Sequence, residues 1–278
     1  MSGDRPLSFN WDISWVCDYD CPYCWFHGKW EELRPRSPAL PVERILRAWE
    51  RIHARHGRAK VSITGGEPLL YPGFTEIVAG ISRWHAVEVI SNLSRDVAGL
   101  IAACRGREVT VNPSFHPLRA DAESFIPRAL ALKEAGMLQA VTVVAWPPVV
   151  ARIPQLQTLF SGRGLRLTVQ PFQGEHGSLR YPEAYTPQER RVIEPDLGSR
   201  GGKPLRMEAL STRGRLCHAG RRYAVIHPDG TAQRCGGAEG EDRVLGNFFA
   251  EDFSLLEAPR PCGAETCPCN EWAFLLEP

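Results

Sequence analysis

The chain has 278 residues, 43% of them hydrophobic and 23% charged, with a formal net charge of +1. That is enough chain for one sizeable domain with an appendage, or for two domains, and the balance is that of an ordinary soluble protein, which excludes disordered and membrane-embedded classes. A charge this close to zero gives no electrostatic case for a nucleic-acid partner.

No apolar run approaches the roughly 20 residues of a membrane helix, and Met1 to Pro6 is polar and lacks a signal-peptide core. A cytoplasmic protein without a membrane partner is expected. Nine cysteines in a reducing compartment read as metal ligands or redox groups rather than disulfides. Cys104 stands apart in a helical stretch and reads as a small packed residue.

In chain order, Leu7, Phe9, Trp11, Ile13 and Trp15 alternate with Ser8, Asn10, Asp12 and Ser14, a period of two that predicts a strand with chemically opposite faces. It runs into Cys17-Asp18-Tyr19-Asp20-Cys21-Pro22-Tyr23-Cys24. Three thiols in so short a loop can wrap one metal centre. Held by three of its irons, a four-iron, four-sulfur cluster would keep one iron open for chemistry. His27 supplies a rival fourth ligand for structural zinc, so spacing alone leaves both centres open.

A helix is expected over Val42 to His56, with Ile45, Trp49 and Ile52 on one stripe and Gly57 as its stop. Strand Lys60 to Thr64 breaks at Gly65-Gly66-Glu67-Pro68. Alternating patterns follow: helix Phe74 to Trp84, strand Val87 to Ser91, a helix opening near Ser94, strand Val109 to Phe115, helix Ala122 to Ala135, strand Ala140 to Ala145, helix Val150 to Phe160 and strand Leu165 to Gln170. Six strands alternating with five helices predict an α/β fold, a partial (β/α)6 TIM-type barrel with its site at the C-terminal ends of the strands. The domain expectations are a barrel over 1–173, a linker or lid over 174–214, and a small cysteine-rich module of hairpin and helix over 215–278. In that module Tyr223 to His227 and Thr231 to Arg234 flank a Pro228-Asp229-Gly230 turn.

Together, Cys17, Cys21 and Cys24 after strand one, Gly65 to Pro68 after strand two, and the half-barrel resemble the radical S-adenosylmethionine (SAM) superfamily over roughly Leu7 to Phe172. The resemblance implies an enzyme whose [4Fe-4S] cluster, chelated by SAM and reduced, releases a 5'-deoxyadenosyl radical that takes hydrogen from a substrate. It also implies cofactor-side roles: Tyr23 against the adenine, Gly65, Gly66, Glu67 and Pro68 near the methionine end, and Ser91 and Asn92 at the ribose. A second group, Cys217, Cys235, Cys262, Cys267 and Cys269, resembles with Gly230 and Leu245-Gly246-Asn247 the SPASM/Twitch extensions of these enzymes, the short Twitch form fitting better. That implies a second, auxiliary [4Fe-4S] cluster. A zinc knuckle is the alternative, and five thiols for four irons leave one to spare or one iron free.

Polar alternates on the strands point to a hydrophilic substrate: Asn10, Asp12 and Ser14 on strand one, Asn112, Ser114 and His116 on strand four, Thr168 and Gln170 on strand six. Ser114 is counted with the ribose contacts. His116 leads the substrate-side candidates for catalysis, followed by Glu175 and His176. The leading expectation is a radical SAM oxidoreductase or modifying enzyme acting on a polar sugar or peptide, its auxiliary cluster serving oxidation, cross-linking or anchoring. An epimerase with a C-terminal cysteine as hydrogen donor, and a non-catalytic iron-sulfur or zinc scaffold, are the alternatives. A flavodoxin or ferredoxin is the expected electron donor. The short stretch before strand one tilts the expectation slightly away from peptides.

Overall fold

The computed structural model describes residues 6–193, 210–237, 243–267 and 275–277. Its parallel staves are β1 (Ser8–Ser14), β2 (Lys60–Gly65), β3 (Ala86–Ser91), β4 (Val109–Pro113), β5 (Val141–Ala145) and β6 (Leu167–Pro171). The helices between and around them are α1 (Trp30–Leu33), α2 (Val42–His56), α3 (Phe74–Ile81), α4 (Ala98–Cys104), α5 (Ala122–Glu134) and α6 (Ile153–Ser161). Strands β1 to β4 pair side by side, β5 pairs with β6, and the parallel bridges Val111–Leu138 and Ser114–Thr142 carry the arc from β4 to β5. This is the expected partial barrel, open rather than closed.

Two boundaries fall inside the expected ones for local reasons. Helix α3 stops at Ile81, where Ser82 to His85 turn back onto the carbonyls of Val78, Gly80 and Ile81. The stretch expected as one helix from Val150 is a 3-10 turn (Pro147–Arg152) followed by α6, whose second residue is Pro154, a first-turn proline that needs no hydrogen bond.

Beyond the barrel come the β7 (Gly174–His176) and β8 (Leu179–Tyr181) hairpin and α7 (Pro187–Ile193). The C-terminal region adds β9 (Leu210–Ser211), β10 (Leu216–Cys217), β11 (Tyr223–Ile226), β12 (Thr231–Gln233), β13 (Val244–Asn247), β14 (Arg260–Pro261) and β15 (Thr266–Cys267). Strand β11 lies parallel to β1 and extends the barrel sheet, in the order β13-β12-β11-β1-β2-β3-β4. The sheet therefore continues across the expected boundary at 215.

The outer face of this sheet is apolar. Ile45, Ala48, Trp49 and Ile52, at helical spacing on α2, are buried against it. Phe9 and Trp11 meet the Trp49 ring at 5.3 and 5.7 Å. Phe248, from just beyond β13, packs on Trp49 at 4.7 Å and on Phe9 at 6.1 Å. Behind it, His85 is fully buried; its Nδ1 accepts from the Ala59 N–H (3.1 Å), which leaves Nε2 to donate to the Trp49 carbonyl (3.0 Å). One imidazole thus ties helix to sheet.

The inner face is polar. Asp12, Asn112, Thr142 and Thr168 are buried there, and cross-strand bonds such as Ser62 to Glu88 (2.8 Å) satisfy part of it. At the end of β11, His227 Nδ1 lies 3.3 Å from Asp12 Oδ2 and its ring tilts onto Trp15 at 5.5 Å. Burial works against the charged imidazole, but the hydrogen bond and charge of Asp12 outweigh it and the pKa is raised.

Because Phe248 fills the centre of the barrel's outer layer, Phe248→Ala should cost about 3–5 kcal/mol, read as a lower urea midpoint for the whole domain. A barrel that kept its wild-type midpoint in this variant would show the C-terminal segment to be separable.

Candidate functional site

The cysteine loop leaves β1 through a bulge between Asp12 and Ser14. Turn bonds shape it: Cys24 N–H donates to the Cys21 carbonyl and His27 N–H to the Cys24 carbonyl, each at 3.0 Å. Cys21 is buried, Cys17 and Cys24 half-buried, and none of the eight described cysteines is in a disulfide. Burial pushes the Cys17 thiol up to about 12 and Cys21 to about 11, and raises Cys24 as well. These sites disfavour bare thiolates and would gain from a cationic centre, which deprotonates a coordinating thiol. The donor set, three soft sulfurs on one loop, fits an iron-sulfur cluster.

His27, the rival ligand, has its Nδ1 2.8 Å from the Asp20 carboxylate, which also accepts from Trp30 Nε1 at 3.2 Å. Among the described residues, no three His, Cys, Asp or Glu side chains gather around one point as a single bound ion requires.

The glycine turn packs directly beneath this loop. Gly66 N–H donates to the Ser14 carbonyl (2.6 Å) and Glu67 N–H to the Val16 carbonyl (2.8 Å). A Cβ on Gly66 would lie 2.1 Å from the Val16 oxygen, and one on Gly65, at φ +124, 2.3 Å from the Ser14 oxygen. Both glycines are therefore required by the backbone of the cysteine loop itself. Pro68, buried, opens the short 3-10 turn that follows.

Glu67 is 1% exposed. Its carboxylate accepts from Leu69 N–H (2.9 Å), Ser91 Oγ (2.8 Å) and Asn92 N–H (2.7 Å). Burial lifts its pKa to about 7 against the pull of those three donors. Asn92 Nδ2 then reaches Asp18 Oδ1 at 3.1 Å. Leu93, at φ +52, occupies a conformation uncommon for a non-glycine residue, its carbonyl held by Arg128 at 3.0 Å. Glu67, Ser91 and Asn92 are thus brought together with the cysteine loop, and the Ser91 hydroxyl is engaged by Glu67.

Across the mouth, Tyr23 Oη and His116 Nδ1 are 3.0 Å apart, with the rings stacked at 5.8 Å. Burial depresses the His116 pKa to about 4, so at neutral pH the ring is uncharged. Ser114 Oγ lies 3.4 Å from Thr142 Oγ1 one strand over. Trp146, which the sequence reading passed over, touches Tyr23 (5.8 Å), Phe172 (4.8 Å) and His176 (4.4 Å). Its signal was its place, directly after β5 where the site-bearing strand ends fall. It brings His176 into the same aromatic line as His116; Glu175 is exposed.

Four described cysteines of the second group lie in one neighbourhood. Cys217 lies within Coulombic reach of Cys262 and Cys267, and Cys235 of all three. Cys217, Tyr223 and Val225 share a small apolar cluster on which Cys235 and Cys262 pack. Arg234 orders its walls, donating to the carbonyls of Ala219 (3.1 Å), Arg260 (3.3 Å) and Pro261 (3.4 Å). Cys269 lies outside the described residues.

Residues 13–116 match the family model of the Radical SAM superfamily. A probable GTP 3',8-cyclase of Methanocella arvoryzae is 26% identical over 211 residues, 69% of this chain and 65% of that protein. In fold, the chain is similar to SuiB of Streptococcus suis bound to S-adenosylmethionine (TM-score 0.63, 17% identity, 89% of this chain and 64% of that one). It is also similar to anSMEcpe with bound AdoMet (TM-score 0.63, 15% identity, 88% of this chain and 78% of that one). The chain thus spans somewhat under two thirds of the length of the cyclase and of SuiB.

Replacing Glu67 with Gln should turn an NH2 group toward one of three donors and destabilise the cofactor-free fold by about 1–3 kcal/mol. Urea unfolding measures it. A variant as stable as wild type would show that the carboxylate is not the hub of the three loops.

Proposed function

We propose that this chain is a radical SAM enzyme with two iron-sulfur centres that removes a hydrogen atom from a polar substrate. The observation that carries the reading is the interlock of three loops at the C-terminal ends of β1, β2 and β3: the cysteines, Gly65 to Pro68, and Ser91-Asn92. When bound and reduced, the cluster and SAM together supply the 5'-deoxyadenosyl radical.

The chain's own residues bind, orient and exclude water. Cys17, Cys21 and Cys24 hold the first cluster. Glu67 fixes the loop on which the methionine end of SAM rests, Tyr23 gives the adenine an aromatic wall, and Asn92 and Ser114 face its ribose. Cys217, Cys235, Cys262 and Cys267, with Cys269 in reserve, hold a second [4Fe-4S] cluster in the 215–278 module. Electrons arrive from a flavodoxin or ferredoxin.

For substrate, the polar inner face argues against a lipid. Asn112 is 4% exposed and its Oδ1 has no hydrogen-bond partner among the described residues, an acceptor that a donor on a bound molecule would satisfy. Between a sugar and a peptide, the similar folds favour a peptide: SuiB has been solved bound to its precursor peptide SuiA, and anSMEcpe with the Cp18Cys peptide. His116 and His176, joined through Tyr23 and Trp146, line the substrate side.

Anaerobic reconstitution should load about eight irons per chain, about half of them lost in Cys21→Ala and a different half in Cys235→Ala. Reduction with SAM present should yield 5'-deoxyadenosine in wild type and Cys235→Ala and none in Cys21→Ala. No 5'-deoxyadenosine from a fully loaded wild-type chain would end the enzyme reading.

A further inference from the structure

One charged side chain around the cysteine loop has no role in what has been described. Arg119 lies in Pro117-Leu118-Arg119-Ala120, the turn after β4. It spends two of its donors on a single acceptor: Nε (3.0 Å) and Nη2 (2.5 Å) both reach the carbonyl oxygen of Asp20. Asp20 is the residue immediately before Cys21.

The turn that carries Arg119 is itself pinned. The N–H groups of Arg119 (2.9 Å) and Ala120 (2.7 Å) donate back to the His116 carbonyl, while the His116 ring holds Tyr23 Oη at 3.0 Å. The β4 turn therefore grips the cysteine loop at Asp20 and at Tyr23, on either side of the central thiol. A guanidinium cannot lose its charge. Arg119 acts electrostatically on Cys21 and Tyr23, and the charges set against it around the same loop are Asp18, Asp20 and Glu67. Asp18 also has Arg95 at 3.9 Å, and Asp20 is bonded to His27.

We infer that Arg119 is a positioning residue of the cluster loop, clamping the peptide before Cys21 with its fork and, through its fixed positive charge, making a cluster held there easier to reduce. This rests on the radical SAM reading above. Reduction adds an electron to an already anionic site. A nearby cation stabilises the reduced form, and net charge and hydrogen bonding are the levers by which a protein sets such a potential. Arg119 is exposed, so the effect is modest and salt-sensitive.

The test uses the full-length, anaerobically reconstituted protein at low ionic strength with three forms: wild type, Arg119→Lys and Arg119→Gln. The midpoint potential is followed at the EPR signal that changes when SAM is added, which separates this centre from the second one. In Arg119→Gln the reduced-to-oxidised ratio at a fixed potential should fall about fivefold, or about 40 mV for one electron. Arg119→Lys should stay within about twofold of wild type, and high salt should shrink the gap. Equal potentials in wild type and Arg119→Gln, or a shift in Arg119→Lys as large as in Arg119→Gln, would overturn the electrostatic role.

The clamp is read without any cluster. Amide hydrogen exchange across residues 18–24 of the iron-free protein should quicken about tenfold in Arg119→Gln, while strands β1 to β4 keep their protection. Unchanged exchange in the loop would overturn the clamp. A wild-type chain that took up no iron would sink the radical SAM reading and the electrostatic role together, and the exchange measurement would still decide the clamp.

Discussion

The site depends on a contact between two backbones. Gly65 and Gly66 lie so close under Ser14 and Val16 that no side chain fits between, and the peptide groups of the two loops are hydrogen-bonded across that gap. This fixes the height of the cysteine loop above the sheet. Glu67 then extends the lock sideways, since its carboxylate accepts from the end of β3. A fully buried carboxylate is costly unless each oxygen is satisfied. Here the donors are the very groups whose placement the site requires, so the desolvation penalty and the geometry are resolved by the same three bonds.

The sheet beneath has faces with separate tasks. Its outer face supplies stability through a dense aromatic layer in which Phe9, Trp11, Trp49 and Phe248 meet at centroid distances of 4.7 to 6.1 Å. The inner face forgoes such packing and presents Asp12, Asn112, Thr142 and Thr168. A protein interior that leaves a buried amide oxygen unpartnered loses stability at that point. The deficit at Asn112 makes physical sense where a ligand completes the bond.

Much of this was legible in the chain. Period-two alternation in β1 announced opposite faces, and both the cysteine spacing and the glycine turn fell at strand ends because parallel β/α folds place their chemistry there. What stayed hidden depends on contacts far apart in sequence. The glycines read as room for a cofactor; that the space a Cβ would need is filled by the backbone of Ser14 and Val16, some fifty residues earlier in the chain, no local pattern announces. Trp146 and Arg119 carry no motif at all; one matters through ring contacts and the other through a carbonyl 99 positions away. The contact of His27 with Asp20 was equally unannounced.

The pairing of β11 with β1 has the widest consequence. Directly paired residues on neighbouring parallel strands share a face, so Val225 lies on the same side as Asn10, and His227, one step past the last paired residues, meets Asp12. Of the second cysteine group, Cys217, Cys235 and Cys262 pack with Tyr223 and Val225. It follows that this group is anchored on the inner, polar face of the sheet that carries the first group at the end of β1. A hinge between barrel and cysteine-rich module would have to break the parallel ladder between β1 and β11 and separate Phe248 from Trp49. The sheet therefore sets the spacing between the end of β1, where the first thiol group begins, and the part of the second group that packs on β11.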